Sequence, residues 1–118
     1  MITLYGIKNC DTVKKARRWL ERQHVEHHFH DFREDGLTEE QVAAWIDELG
    51  WETLVNRRST SWKALSAEER DSMDSQTAVA AIMSQPTLIE RPLLDTGHER
   101  HTGFSEASYQ ESLSRHTL

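Results

Sequence analysis

Apolar and polar positions alternate at the start of the chain, in Ile2-Thr3-Leu4-Tyr5. They predict a short first strand and not a signal peptide, because no basic stretch leads into a long apolar run. Gly6 to Asn9 reads as a loop. From Asp11 the spacing becomes helical, with Val13, Ala16 and Trp19 or Leu20 on one face and Lys14, Lys15, Arg18, Glu21 and Arg22 on the other. Residues 25–33 predict a second strand, closed by Asp35-Gly36. Thr38 with Gln41, and Ser66 with Glu69, form capping boxes that each open a helix. The first of these helices runs through Val42, Trp45, Ile46 and Leu49 to Gly50, a glycine placed to end it. Residues 51–55 predict a short helical turn, and Ser75 caps a helix through Val79, Ala80, Ile82 and Met83 that Pro86 stops. Residues 87–94 predict an apolar strand interrupted by Arg91-Pro92, and residues 95–102 a turn with a short return strand. Ser105 starts a last helix carrying Ala107, Tyr109 and Leu113.

The order is therefore β-α-β, a helical block over about 38–85, then β-β-α. A chain of 118 residues in this order is expected to form a single α/β domain, residues 1–118, with the helical block as an insertion between two halves. No apolar run approaches the ~18 residues needed to span a bilayer. A net charge of −6 argues against a nucleic-acid partner, since phosphate binding relies on clustered cations. No long apolar stripe is left over once the core faces are assigned, so a monomer is expected. The chain has one cysteine, which excludes an intramolecular disulfide and fits a reducing cytoplasm.

That cysteine, Cys10, falls where the first strand hands over to the first helix. Sites of α/β sheets collect at the carboxyl ends of strands. Unpaired amides and the positive end of the helix dipole favour negative charge there, and a thiolate is the nucleophilic form of cysteine. Lys8, Asn9, Asp11 and Thr12 make the surroundings polar, and Lys8 and Lys14 add positive charge. Arg91 precedes Pro92 at a strand start, a place where a cis peptide bond occurs. Arg57 and Arg58 lead into Ser59-Thr60-Ser61. His24, His27, His28 and His30 lack a further ligand at metal-binding spacing, so no metal is expected. His98 and His101 read as solvated, and Trp19, Trp45, Trp51 and Trp62 as core or cover.

Several segments carry a resemblance: residues 3–20 around Asn9-Cys10-Asp11-Thr12, His30-Asp31-Phe32-Arg33, Asp35-Gly36-Leu37, Glu48-Leu49-Gly50-Trp51, residues 56–62, Arg91-Pro92-Leu93-Leu94 and Gly103-Phe104-Ser105. In that order they resemble the ArsC/Spx family of thioredoxin-fold proteins, and most closely its YffB-like branch. The resemblance implies a thioredoxin-like sheet with a helical insertion. It implies that Cys10 is the family's thiol, that Pro92 is its cis-proline and that Arg91 faces the thiol. Arg58 falls where the regulator and YffB-like branches carry an arginine.

The arsenate reductases' arginine clamp is matched in register only at Arg91, with Asn56 and Gly103 at the other places. Val13 and Lys14 replace their Ser-Arg pair, and Val13 also takes the second position of the regulators' Cys-x-x-Cys. The expected activity is a glutathione-dependent thiol reductase acting on a disulfide or oxyanion substrate. It needs no bound cofactor and uses glutathione as co-substrate. Cys10 is the nucleophile, and Lys8, Asn9, Lys14, Arg58, Arg91 and Pro92 bind glutathione or substrate. Arsenate reduction and a non-enzymatic, polymerase-binding regulator of the Spx type are the alternatives.

Overall fold

A computed structural model describes residues 1–116. The elements follow in the order β1 (Ile2–Gly6), α1 (Asp11–Arg22), β2 (His27–Asp31), α2 (Phe32–Asp35), α3 (Glu39–Leu49), α4 (Trp51–Leu54), α5 (Thr60–Lys63), α6 (Ala67–Asp71) and α7 (Ser75–Ser84), then a 3-10 turn (Pro86–Leu88), β3 (Leu93–Asp95), β4 (Arg100–Thr102) and α8 (Glu106–His116). They form two compact units, one of residues 1–35 with the described residues from 91 onward and one of residues 36–90. Among the described residues no helix is long and apolar enough to cross a membrane.

The first unit holds a four-stranded sheet in the order β2-β1-β3-β4. β1 runs parallel to β2, with Gly6 opposite Asp31, and antiparallel to β3, with Tyr5 opposite Leu93. β4 returns antiparallel to β3, with Thr102 opposite Leu93. This is the thioredoxin-like arrangement, β-α-β followed by β-β-α. Helix α1 turns Val13, Ala16, Trp19 and Leu20 inward, as its spacing predicts. These side chains meet Leu4, Leu94, Tyr109 and Leu113 in one apolar cluster. On α8 the inward face is Tyr109, Ser112 and Leu113, whereas Ala107 is exposed.

The second unit is helical, with α3 packed against α7 and α4. Its core includes Val42, Trp45, Ile46, Leu54, Ala78, Ile82 and Leu88. Both predicted capping boxes form, at Thr38 and at Ser66. The cap of α7 is Asp74 and not Ser75: its carboxylate accepts the amides of Gln76 and Thr77 at 2.9 and 2.8 Å. The strand predicted over 87–94 is shorter and later. Leu88 belongs to the 3-10 turn, Ile89 makes an isolated bridge to Val55, and only Leu93–Asp95 joins the sheet. The amides of Leu88 and Ile89 donate to the carbonyls of Gln85 and Pro86 at 3.0 and 3.1 Å, which closes a turn instead of a ladder.

The second strand also stops early, at Asp31. The Asp31 carboxylate accepts the amides of Arg33 and Glu34 at 2.8 and 3.2 Å and turns the chain into α2. His101 is not simply solvated: its ring bonds the Glu99 carboxylate at 2.8 Å. Glu99 also receives Arg115 at 2.6 Å and Ser112 at 3.0 Å, joining the β3–β4 turn to α8. Hydrogen bonds from Arg115 and His101 hold its carboxyl far below the usual glutamate range.

Gly6, the last residue of β1, faces Val13 of α1. A Cβ at that position falls 2.8 and 3.2 Å from the two methyls of Val13. Valine is stiff at χ1 and cannot swing aside. Gly6→Ala is therefore expected to cost about 1–3 kcal/mol by overpacking. Chemical denaturation checks this, and Val13→Ala in the same chain is expected to be less damaging than the two single losses added together.

Candidate active site around Cys10

The sheet brings four chain segments to one edge. β1 and β2 end there, at Gly6 and Asp31, because they are parallel. β3 begins there and β4 ends there, because each runs opposite to its neighbour. The loop with Lys8, Asn9 and Cys10 thus leaves the same edge at which Arg91 and Pro92 arrive. The Arg91–Pro92 peptide bond is cis. The carbonyl of Pro92 accepts the Gly103 amide at 2.8 Å, so the segments on either side of the β3–β4 hairpin are tied. The Tyr109 hydroxyl, from α8, donates to the Gly103 carbonyl at 3.1 Å.

Cys10 is the N-cap of α1, with extended dihedrals of φ −139° and ψ 122°. It is a free thiol and half-buried. Its carbonyl accepts the first intrahelical bond, from the Lys14 amide at 2.9 Å. Its side chain makes no cap bond. The amides of the first turn precede that first bond, so they are open to an anion placed at the sulfur or beside it.

The loop before the thiol is held from β2. Asp31, buried in the sheet edge, accepts the Lys8 amide at 3.3 Å as well as the two amides of α2. Burial pushes this carboxyl up, but the amides of Arg33, Glu34 and Lys8 and the Lys8 charge outweigh it and keep the group below its usual range. Asp31 is thus an ionised anchor that fixes the cysteine loop. The Lys8 ammonium lies 2.9 Å from Glu34, both side chains being mostly exposed. The hydrogen bond and charge of Glu34 raise the Lys8 pKa.

Of the residues singled out in the sequence, Cys10, Lys8, Asn9, Lys14, Arg91 and Pro92 all belong to the sheet unit. Lys8 spends its charge on Glu34, while Asn9 and Lys14 are exposed. Arg58 belongs to the second unit, where its amide is held by Asn56 at 2.9 Å. Asp31, Gly103 and Tyr109 join the arrangement as positioning residues. Asp31 has a legible signal, an aspartate two and three residues before a turn. The bond of Tyr109 to a carbonyl six residues earlier has none. Among the described residues no group of three or more His, Cys, Asp or Glu side chains is placed to hold a metal ion.

A model of the ArsC family matches residues 5–112. The chain belongs to the ArsC family. A relative within reach of this ArsC-family chain is an uncharacterised protein of Haemophilus influenzae, 44% identical over 97% of this chain and 100% of that one. A global transcriptional regulator Spx of Lactococcus lactis is 27% identical over 98% of this chain and 88% of the regulator. Among solved structures, the YffB protein is 37% identical, with a TM-score of 0.90 over 94% of this chain and 97% of that chain. These likenesses agree with the thioredoxin-like sheet and the YffB-like resemblance read from the sequence.

Proposed function

We propose that this ArsC-family protein is a glutathione-dependent thiol reductase with Cys10 as its nucleophile. The observation that carries the reading is the free thiol at the uncapped N-terminus of α1, in a chain that has no second cysteine. In the first step the Cys10 thiolate attacks the glutathione-side sulfur of a glutathionylated thiol. A Cys10–glutathione disulfide forms, and the substrate leaves as its thiolate, which takes a proton from water. In the second step the thiolate of a second glutathione attacks the glutathione sulfur of that adduct. Oxidised glutathione leaves and the Cys10 thiolate is restored. One glutathione thiol is consumed: its sulfur takes the place of the substrate sulfur in the disulfide bond, and the substrate sulfur returns to the thiol level.

Single-thiol chemistry of this kind needs no resolving cysteine, only an external thiol. The first-turn amides of α1 are open beside the sulfur, and Arg91 and Lys14 supply cations for the glutathione carboxylates. A reducing cytoplasm is the setting this chemistry fits.

Intact-mass spectrometry after incubation with oxidised glutathione tests the reading. The expected product is one glutathione adduct, located at Cys10 and removed by reduced glutathione. No adduct, or one that reduced glutathione leaves in place, sinks it. The regulator relative supports a second reading, a binding protein whose partner is RNA polymerase. Polymerase capture by the Cys10→Ser protein, with no adduct on the wild type, favours that reading instead.

A further inference from the structure

Helix α1 carries five basic side chains, Lys14, Lys15, Arg17, Arg18 and Arg22, against two acidic ones, Asp11 and Glu21. The helix thus bears +3 in a chain whose net charge is −6, leaving −9 on the rest. Lys14, Arg18 and Arg22 follow Cys10 at intervals of four residues, a row of neighbours that winds about 40° around the helix at each step. The three cations are exposed. Among the described residues neither they nor Lys15 take part in any of the ion pairs, and Glu21 does not pair with them either. Arg17, between them, holds its guanidinium carbon over the Phe29 ring, 4.2 Å from the ring centroid. Lys14, Arg17, Arg18 and Glu21 line a shallow depression of about 170 Å³.

This arrangement works against the helix itself. Like charges four residues apart destabilise a helix by about 0.2–0.5 kcal/mol per pair. The pairs Lys14–Arg18 and Arg18–Arg22 both carry that cost, offset in part by Asp11 and Glu21 at three- and four-residue spacing and by Arg22 at the negative end of the helix dipole. Exposed cations that take part in no ion pair among the described residues remain open to an anionic partner.

We infer that this face of α1 docks an acidic stretch of polypeptide flanking the glutathionylated cysteine of a protein substrate, so that the mixed disulfide is brought to Cys10 with its glutathione sulfur toward the thiolate. The inference rests on the thiol-reductase reading for its chemistry and adds to it the class of substrate. From Cys10 to Arg22 the helix rises about 18 Å, the length of five or six extended residues. A short acidic segment therefore fits the row. A long polyanion such as duplex DNA is repelled by the −9 carried elsewhere.

The test uses the full-length protein and two synthetic glutathionylated peptides of equal length. One has glutamates beside the cysteine, and the other has lysines. The neutral disulfide of 2-mercaptoethanol serves as a substrate that cannot use the face. At low ionic strength the glutamate peptide is expected to react with Cys10 at least about tenfold faster than the lysine peptide. The triple variant K15E/R18E/R22E is expected to reverse that order while reacting normally with the neutral disulfide. Equal rates for both peptides, or a preference that survives charge reversal, overturns the docking inference.

A second measurement separates the two readings. Cys10→Ser protein is titrated with the reduced glutamate peptide by fluorescence anisotropy. Binding that weakens with salt and vanishes in the charge-reversed helix supports docking even where Cys10 reacts with no disulfide, an outcome that removes the thiol reading only. No binding to the peptide, or tighter binding to duplex DNA, overturns docking while leaving the thiol reading to its own test.

Discussion

Cys10→Ser is expected to abolish the glutathione adduct and, at the same time, to make the protein more stable by about 1 kcal/mol. The two effects have one origin. Position 10 is a helix N-cap with extended dihedrals, the conformation from which a serine oxygen accepts the amide of the second or third helical residue. The sulfur makes no such bond. The helix therefore begins with its first amides open, and the protein forgoes an ordinary cap in order to keep a thiol beside them. Intact-mass spectrometry reads the adduct, and urea denaturation of both proteins under reducing conditions reads the stability. An adduct that persists in the serine protein places the reaction somewhere other than Cys10. A serine protein less stable than the wild type shows the sulfur to be a packing group.

Tyr109→Ala is expected to be the most damaging single truncation in the sheet unit, at roughly 3–5 kcal/mol. The ring is 1% exposed and makes edge-on contacts with Trp19, at 5.9 Å, and with Phe104, at 4.8 Å. Burial pushes its hydroxyl pKa up, so the group stays a donor to the Gly103 carbonyl. Tyr109→Phe keeps the ring and removes only that bond, at about 0.5–1.5 kcal/mol. The conservative change is expected to act on the site as well. Gly103 holds the Pro92 carbonyl through its amide, so freeing its own carbonyl loosens the segment opposite the cysteine loop. A slower adduct-forming rate in Tyr109→Phe, with the fold intact by circular dichroism, is the signature. A rate equal to that of the wild type limits Tyr109 to the core.

What the chain disclosed beforehand divides by range. The capping boxes at Thr38 and Ser66, the inward face of α1 and the place of Cys10 all depend on residues within four positions of one another, and all are visible in the pattern. The ends of β2 and α7 were missed for a local reason, that an aspartate claimed the amides that follow it. Asp31 cut its strand short, and Asp74 displaced Ser75 as the cap. Other features are set by partners far along the chain. Lys8 meets Glu34 across 26 positions, and Glu99 meets Arg115 across 16, which no periodicity encodes. The apolar run at 87–94 reads as one strand because Leu88, Ile89, Leu93 and Leu94 are all fully buried, and continuous burial erases the alternation that would separate the turn from the strand.

The insertion also sets an order in time. β1 is flanked in the sheet by β2, which follows it closely, and by β3, whose first residue is Leu93. During synthesis, the whole of residues 36–90 leaves the ribosome before the second neighbour of β1 exists. Until then one edge of β1 has no strand beside it, and Leu4, Ala16 and Leu20 lack Leu94, Tyr109 and Leu113. A nascent chain halted near residue 90 thus displays an open strand edge and half an apolar core, the surfaces on which holding chaperones act and from which aggregation starts.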